Sequence, residues 1–491
     1  MSRRRIIDGE LFDAKTEAER LLAEAKAEVA ELRASATADA ASIVATAEAS
    51  AARAVAEADA LRALAAAEAP GTELAAGRVT EVTGLIVRAD VPSVALGDLV
   101  RIERARAGAG PLDAEVVGFR GDDAVLLPLG DLAGVAPHSP VLATGAPLAI
   151  RCGDELRGRI LDGLGRPIDG GAPIAGERWP VDRAAPAPGE RPLIDAPLAT
   201  GVRAIDGFLT LGEGQRIGLF AGSGVGKSTL LGQIARGTAA DVVVVCLVGE
   251  RGRELGELLA GPLGAARDRT VVVCATSDAP SLVRVRAVHV ATAVAEWFRD
   301  RRGARVLLVV DSLTRVARAQ REVGLSAGEP PARHGYPPSV FALLPRLVER
   351  AGRATTGSIT AVYTVLVAGG DMDEPIADEV RGIVDGHVVL ERRLAARGHF
   401  PPIDILASVS RVMPRVASAL HLSAAAAARR RLAVYEEHRD LVTLGAYKQG
   451  TDRAVDDAIA HQAGLDRFLQ QRPDERTELA ETLVRLDAIA R

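Results

Sequence analysis

The sequence predicts an α/β protein: a mainly parallel sheet covered by helices and carrying a phosphate-binding loop, with a small β-barrel and a long helix before it and a helical domain after it. Three observations predict this. The stretch Phe220–Ala221–Gly222–Ser223–Gly224–Val225–Gly226–Lys227–Ser228–Thr229 lies between an apolar run, Ile217 to Phe220, and a helix-forming stretch, Leu230 to Arg236, which is the strand, loop and helix setting that cradles a polyphosphate. Six apolar runs alternate with helical stretches, at 217–220, 242–248, 271–274, 306–310, 359–367 and 387–390. Their hydrophobicity is continuous, the mark of strands buried on both faces. Finally, Glu10 to Ala69 contains neither Gly nor Pro and is dominated by Ala, Glu and Arg.

A chain of 491 residues with 48% hydrophobic content can bury more than one core. The net charge of −5 gives no global reason to expect nucleic acid. Cys152, Cys246 and Cys274 are isolated thiols without zinc or disulfide spacing, so they read as core residues of a reduced, cytoplasmic protein. Met1 to Arg5 is basic, yet no apolar segment follows as a signal peptide requires, and no run is long enough to span a bilayer. Membrane association is therefore expected only indirectly, through partners.

Taken in order, residues 1–70 are an Ala- and Glu-rich segment in which Glu10 to Ala69 form one helix of up to about 90 Å. Leu21, Leu32 and Ile43 repeat every eleven residues, continued by Ala54 and Ala65, with Leu11 and Leu22 in a parallel series. That period predicts a right-handed supercoil with another long helix; a lone solvated helix and a partly disordered arm are the other readings. Pro70–Gly71 ends it. Residues 71–148 hold short β-patterned runs at 77–87, 99–102, 114–119 and 124–129, separated by Gly and Asp turns, a small antiparallel barrel ending near Thr144. It lacks the interleaved basic and aromatic residues that stack bases, so it reads as an assembly collar. Residues 149–420 hold the sheet domain, entered through Gly- and Pro-rich sequence from Cys152 to Pro197. Residues 421–491 are helical, with a polar turn around Gly445 to Thr451.

In the loop, backbone N–H groups and the helix dipole face the phosphates, Lys227 reaches the outer ones and Ser228 takes Mg²⁺. The opening residue of the motif is Ala221 where glycine is usual, leaving Gly222, Gly224 and Gly226 to shape the turn. Ligands sit at the carboxyl ends of parallel strands. There, Val242–Val248 leads into Gly249–Glu250–Arg251, and Val306–Val310 into Asp311–Ser312. Asp311 suits a metal-bound water and Glu250 the orientation of an attacking water; both also suit helix N-caps. Glu254 and Arg253 read as helix-surface residues. Hydrolysis needs a further cation near the terminal phosphate, and nothing in the spacing of Arg411 singles it out.

In these residues the chain resembles the type III secretion ATPases, the injectisome and flagellar export enzymes related to the catalytic subunit of rotary ATP synthases. The resemblance runs from about Gly77 to the C-terminus. It rests on the phosphate loop, Gly249–Glu250–Arg251–Gly252–Arg253–Glu254, Asp311–Ser312–Leu313–Thr314–Arg315, Gly335–Tyr336–Pro337–Pro338–Ser339–Val340–Phe341, Glu374–Pro375–Ile376–Ala377–Asp378 and Asp385–Gly386–His387. It implies a barrel, a RecA-like nucleotide domain and a C-terminal helical domain, with ATP and Mg²⁺ bound between the subunits of a homo-hexamer. By analogy Arg411 is an arginine finger for the neighbour's nucleotide, Phe400 packs on the adenine and Arg251 lies near the γ-phosphate. The turn Ala446–Asp452 takes the place of the lever that meets a central stalk, although the acidic run of ATP synthase is absent there. The start, residues 1–70, with Arg5–Ile6–Ile7–Asp8–Gly9–Glu10–Leu11–Phe12 and the helix after it, resembles the stator-like regulator of these enzymes. The implied partners are therefore that regulator, the stalk, an export gate, and secreted proteins with their chaperones.

Two other readings use the same core. A non-catalytic ring subunit typically lacks the water-activating carboxylate, which is present here as Glu250; a hexameric RNA translocase is disfavoured by the charge and the barrel. Between branches, Asp371–Pro375 and Val271–Asp278 look like the injectisome and Gly222–Gly226 looks flagellar, and the injectisome is favoured.

Overall fold

The structure is a computed structural model and describes residues 76–105, 110–222 and 224–491, with positions 20, 26 and 44 before them. The chain divides into two compact units, residues 1–73 and 74–491. In the first, Arg20, Lys26 and Val44 are helical and exposed; the rest of the expected long helix lies outside the described residues.

Six antiparallel strands open the second unit: β1 (Ala76–Thr83), β2 (Ile86–Asp90), β3 (Asp98–Ile102), β4 (Leu112–Arg120), β5 (Asp123–Pro128) and β6 (Pro140–Pro147). They close into a barrel in the order β1-β2-β5-β4-β3-β6, around a core that includes Val79, Val87, Val100, Ile102, Val116 and Leu126. The register shifts at Val79/Glu81 and Val116/Gly118 are bulges of the kind that bend strands enough to close a barrel. The run at 77–87 is a hairpin because Gly84 takes φ +61°, and the expected end at Thr144 falls inside β6.

Two short pairs follow, β7 (Ala149–Cys152) with β9 (Glu177–Pro180) and β10 (Pro197–Leu198) with β11 (Leu211–Gly212). The main sheet runs β19-β18-β12-β17-β15-β13-β14-β8. Its members are β8 (Ile160–Asp162), β12 (Arg216–Ala221), β13 (Val242–Val248), β14 (Thr270–Ala275), β15 (Arg305–Asp311), β17 (Ser358–Leu366), β18 (Gly386–Leu390) and β19 (Ile403–Ser410), with the short β16 (Gly352–Arg353) pairing off this path. All six runs expected as strands are strands. Pairing is parallel from β8 to β18, and only β19 and β16 run antiparallel. The two edge strands β8 and β19 were not legible in the sequence. β8 is three residues within a turn-rich stretch, and in β19 Asp404 and the buried Ser408 and Ser410 break the apolar run.

Helices α1 (Arg203–Phe208), α2 (Lys227–Gly237), α3 (Gly252–Ala260), α4 (Ser281–Arg302), α5 (Leu313–Ser326), α6 (Pro338–Val348), α7 (Pro375–Ile383) and α8 (Arg392–Ala396) belong to the sheet domain. The short α9 (Met413–Val416) leads to α10 (Ala419–Thr443), α11 (Arg453–Leu469) and α12 (Leu479–Ala490). The expected turn separates α10 from α11, and a second break at residues 470–478 also interrupts the helices. This break is tied to the nucleotide domain: the buried Arg203 guanidinium donates to Phe468 O at 2.9 Å and Thr477 Oγ1 at 3.0 Å, and Gln471 Nε2 donates to Gly201 O at 2.7 Å. Among the described residues no helix is long and apolar enough to cross a membrane.

Candidate functional site

Strand β12 delivers the chain into the loop with Ala221 fully buried. At this position the backbone is still strand and the methyl group packs in the core, so alanine serves where the motif usually has glycine. Ser223 lies outside the described residues. Gly224 and Gly226 have φ of +77° and +92°, a left-handed backbone that costs glycine nothing and other residues about 1 to 2 kcal/mol. Val225 is buried and fastens the loop from below. Gly226 is the N-cap of α2; Lys227 begins that helix, with Ser228 and Thr229 exposed on its first turn, where unpaired N–H groups and the helix dipole favour an anion.

Three strand ends meet this turn. The Lys227 ammonium contacts Asp311 Oδ1 and lies 3.8 Å from Glu250 Oε1. Asp311 ends β15, is buried, and accepts a second hydrogen bond from Thr364 Oγ1 at 2.7 Å. Glu250 follows β13, is equally buried, and accepts from Arg315 Nη2 at 2.8 Å. Neither acid is a helix cap: α3 is capped at Arg251 and α5 at Ser312. Both carboxylates point instead at the lysine, so the capping alternative falls away.

A cavity of about 690 Å³ joins these groups, large enough for a nucleotide's polyphosphate and more. Gly222, Gly224, Gly226, Lys227, Ser228 and Thr229 line it, as do Glu250, Arg251 and Asp311. A second cavity of about 240 Å³ holds Phe400 against Gly226 and Thr229. The Phe400 carbonyl accepts from Gln471 N at 2.8 Å, leaving the ring 45% exposed beside the helix start. Arg411 does not line the first cavity. Its guanidinium is exposed and donates to Val384 O at 3.3 Å and Arg381 O at 3.4 Å.

Sequence reasoning missed three residues. Arg315 and Thr364 hold Glu250 and Asp311, and Glu254, read as a surface residue, lines the cavity beside Glu250. Arg315 stands inside the Asp311–Arg315 motif, yet it pairs with Glu250, 65 residues away, so sequence spacing gives no sign of the contact.

Burial first, then the neighbouring Asp311 charge, push the Glu250 carboxyl up to about 7, against the opposing pull of Lys227. A carboxylate must be ionised to accept a proton or orient water. We expect kcat/KM for ATP to climb with pH to a plateau with a midpoint near 7, falling about tenfold per unit on the acid side. A rate profile flat between pH 5.5 and 8 would remove Glu250 from this role.

For a divalent cation, the Ser228 hydroxyl and the second oxygen of Asp311 are the available protein donors. No group of three His, Cys, Asp or Glu side chains is placed to hold a metal among the described residues. Such a sparse, all-oxygen set fits Mg²⁺, which keeps several waters and binds largely through phosphate oxygens.

Comparison with known proteins agrees with this geometry. Residues 201–410 match the ATP synthase alpha/beta family nucleotide-binding domain, residues 79–145 its beta-barrel domain, and residues 417–488 the T3SS EscN ATPase C-terminal domain. The chain is 52% identical to the type 3 secretion system ATPase of Xanthomonas euvesicatoria, over 84% of this chain and 93% of that protein. It is also 52% identical to the flagellum-specific ATP synthase of Treponema pallidum, over 84% of this chain and 92% of that one. Among solved structures, the assembled ATPase EscN in complex with its central stalk EscO, from the type III secretion system of enteropathogenic E. coli, superposes with a TM-score of 0.79 at 44% identity. That match covers 84% of this chain and all of EscN. With its phosphate loop, paired buried acids and three-domain body all accounted for, the chain is an ATPase and belongs to the EscN-like type III secretion ATPase family, related to the ATP synthase alpha/beta subunits.

Proposed function

We propose that this chain works as a homo-hexamer whose ATP hydrolysis releases chaperones from secreted proteins and unfolds them at the export gate of an injectisome. One observation carries the reading: Lys227, Asp311 and Glu250 converge at the phosphate loop while Arg411 of the same protomer lies elsewhere. The site is then one cation short until a neighbour supplies it. In this reading Lys227 and the loop from Ala221 to Thr229 hold the phosphates, and Phe400 packs on the adenine. Glu250 orients the attacking water, Arg251 lies at the γ-phosphate, and Arg411 of the adjacent copy meets the charge that develops there. Ser228 and, by way of water, Asp311 would hold Mg²⁺, which would supply charge neutralisation of the phosphate oxygens. The likeness to assembled EscN and to its complex with a stalk supports the ring and a stalk partner. Residues 1–70 then serve as a stator-like arm that docks the ring on the secretion apparatus, peripheral to the inner membrane.

The flagellar branch is the second reading, favoured by the equal identity to a flagellum-specific relative. Replacing the chromosomal gene by a Glu250→Gln version separates them. The injectisome reading expects effector secretion to stop, chaperone-bound substrate to accumulate and motility to persist; lost motility with normal effector secretion overturns it. A chain lacking residues 1–69 should hydrolyse ATP normally and fail to localise to the apparatus, and normal localisation would sink the docking role.

A further inference from the structure

Helix α3 carries Arg251 at its N-cap and Glu254 in its first turn, yet it is only partly packed: of its nine residues only Leu258 is buried, while Leu255 and Leu259 rest half-buried on the core. Beneath it the cavity continues away from the phosphate loop into a wall made by Leu231 and Ala235 of α2, Val245 and Leu247 of β13 and Val309 of β15. None of these five is more than 6% exposed. Phosphates have no use for an apolar wall. The interior of a folded domain is normally filled to crystal-like density, so unfilled apolar space beside a loosely held helix calls for an occupant.

The attachment of α3 is lopsided. Downstream it is pinned: a Cβ on Gly232 would lie 2.4 Å from Pro262 Cβ, so Pro262 sits directly on α2, Leu263 is buried, and the Arg236 guanidinium donates to Pro262 O. Upstream, the backbone is held only as far as Glu250, by Gly249 N to Ala275 O at 2.7 Å and Ser277 N to Glu250 O at 3.1 Å. Between these anchors the N-cap makes no side-chain bond. At the centre Gly256 stands where a Cβ would meet nothing within 4 Å. Packing does not demand that glycine, and glycine weakens a helix interior.

We propose that α3 is a flap that packs down into the apolar chamber when the terminal phosphate is engaged, sealing the site and seating Arg251 against the phosphate. Leu255 and Leu259, which already rest half-buried on the edge of this core, are the side chains that move deeper into the chamber on closure. The hinge lies at Gly261–Pro262. Closure of this kind excludes water and completes the constellation only with substrate present. The inference rests on the reading that the terminal phosphate binds between Lys227 and Glu250.

The test fills the chamber from the side remote from the phosphates with Ala235→Leu, and with Val245→Leu should the first variant fail to fold. We expect either variant to bind a fluorescent ATP analogue with Mg²⁺ within twofold of the unaltered protein and to turn over ATP at least tenfold more slowly. Amide exchange across residues 252–260 should slow at least tenfold when a non-hydrolysable ATP analogue and Mg²⁺ are added to the unaltered protein, and should not slow in the filled variant. Exchange that ignores the analogue, or a filled variant with normal kcat, overturns the flap. Failure of the underlying site shows differently, as Lys227→Ala retaining hydrolysis.

Discussion

Lys227→Ala is expected to lower ATP turnover by a factor on the order of 10³ or more, because the lysine both meets the phosphates and neutralises the two acids around it. In the folded chain its ammonium is the cation that touches Asp311, and it lies within 4 Å of Glu250. Without it two buried carboxylates face each other with only Arg315 and Thr364 for support, which drives Glu250 further above the usual carboxylate range. The variant should therefore show a melting deficit that grows from pH 6 to pH 8, as Glu250 is forced to ionise without its partner. Turnover and stability measured together decide the matter. A variant with normal turnover would remove Lys227 from the site, and a melting deficit that shrinks with rising pH would contradict the charge argument.

Arg411→Ala is expected to cost about 10³ to 10⁵ in turnover while changing stability by about 0.5 kcal/mol or less, the range for an exposed side chain. Among the described residues its side chain makes two hydrogen bonds, both long and to carbonyls at the end of α7. A shared site gives a sharper outcome in mixtures. An Arg411→Ala protomer keeps its own Lys227, and a Lys227→Ala protomer keeps its Arg411, so rings mixed from two inactive proteins contain some interfaces with every group present. Mixing should restore a fraction of activity, and turnover of the unaltered protein should rise more than proportionally with its concentration. If mixtures stay inactive while each protein still joins the ring, Arg411 does not act across the interface.

Much of this was legible in order along the chain. Continuous apolar runs at Val242–Val248 and Val306–Val310 fixed where strands end, and so placed Glu250 and Asp311 at the phosphate edge. The glycines of the loop and Lys227 announced the anion site by local backbone needs alone. The sequence also misled at Glu254, which helical position makes a surface residue and which the structure turns toward Glu250.

What the sequence determined by itself, then, was every feature that depends on near neighbours in the chain: strand, glycine turn, helix start, and the acid after each strand. The tertiary structure decided what depends on distant segments: Arg315 and Thr364 bracing the two acids, Gln471 holding the Phe400 carbonyl, Arg411 turned away from its own cavity, and the unfilled space under α3. The physical reason is that backbone preference is local and readable by spacing, whereas a hydrogen bond or a void between two strand ends depends on how the whole sheet brings them together.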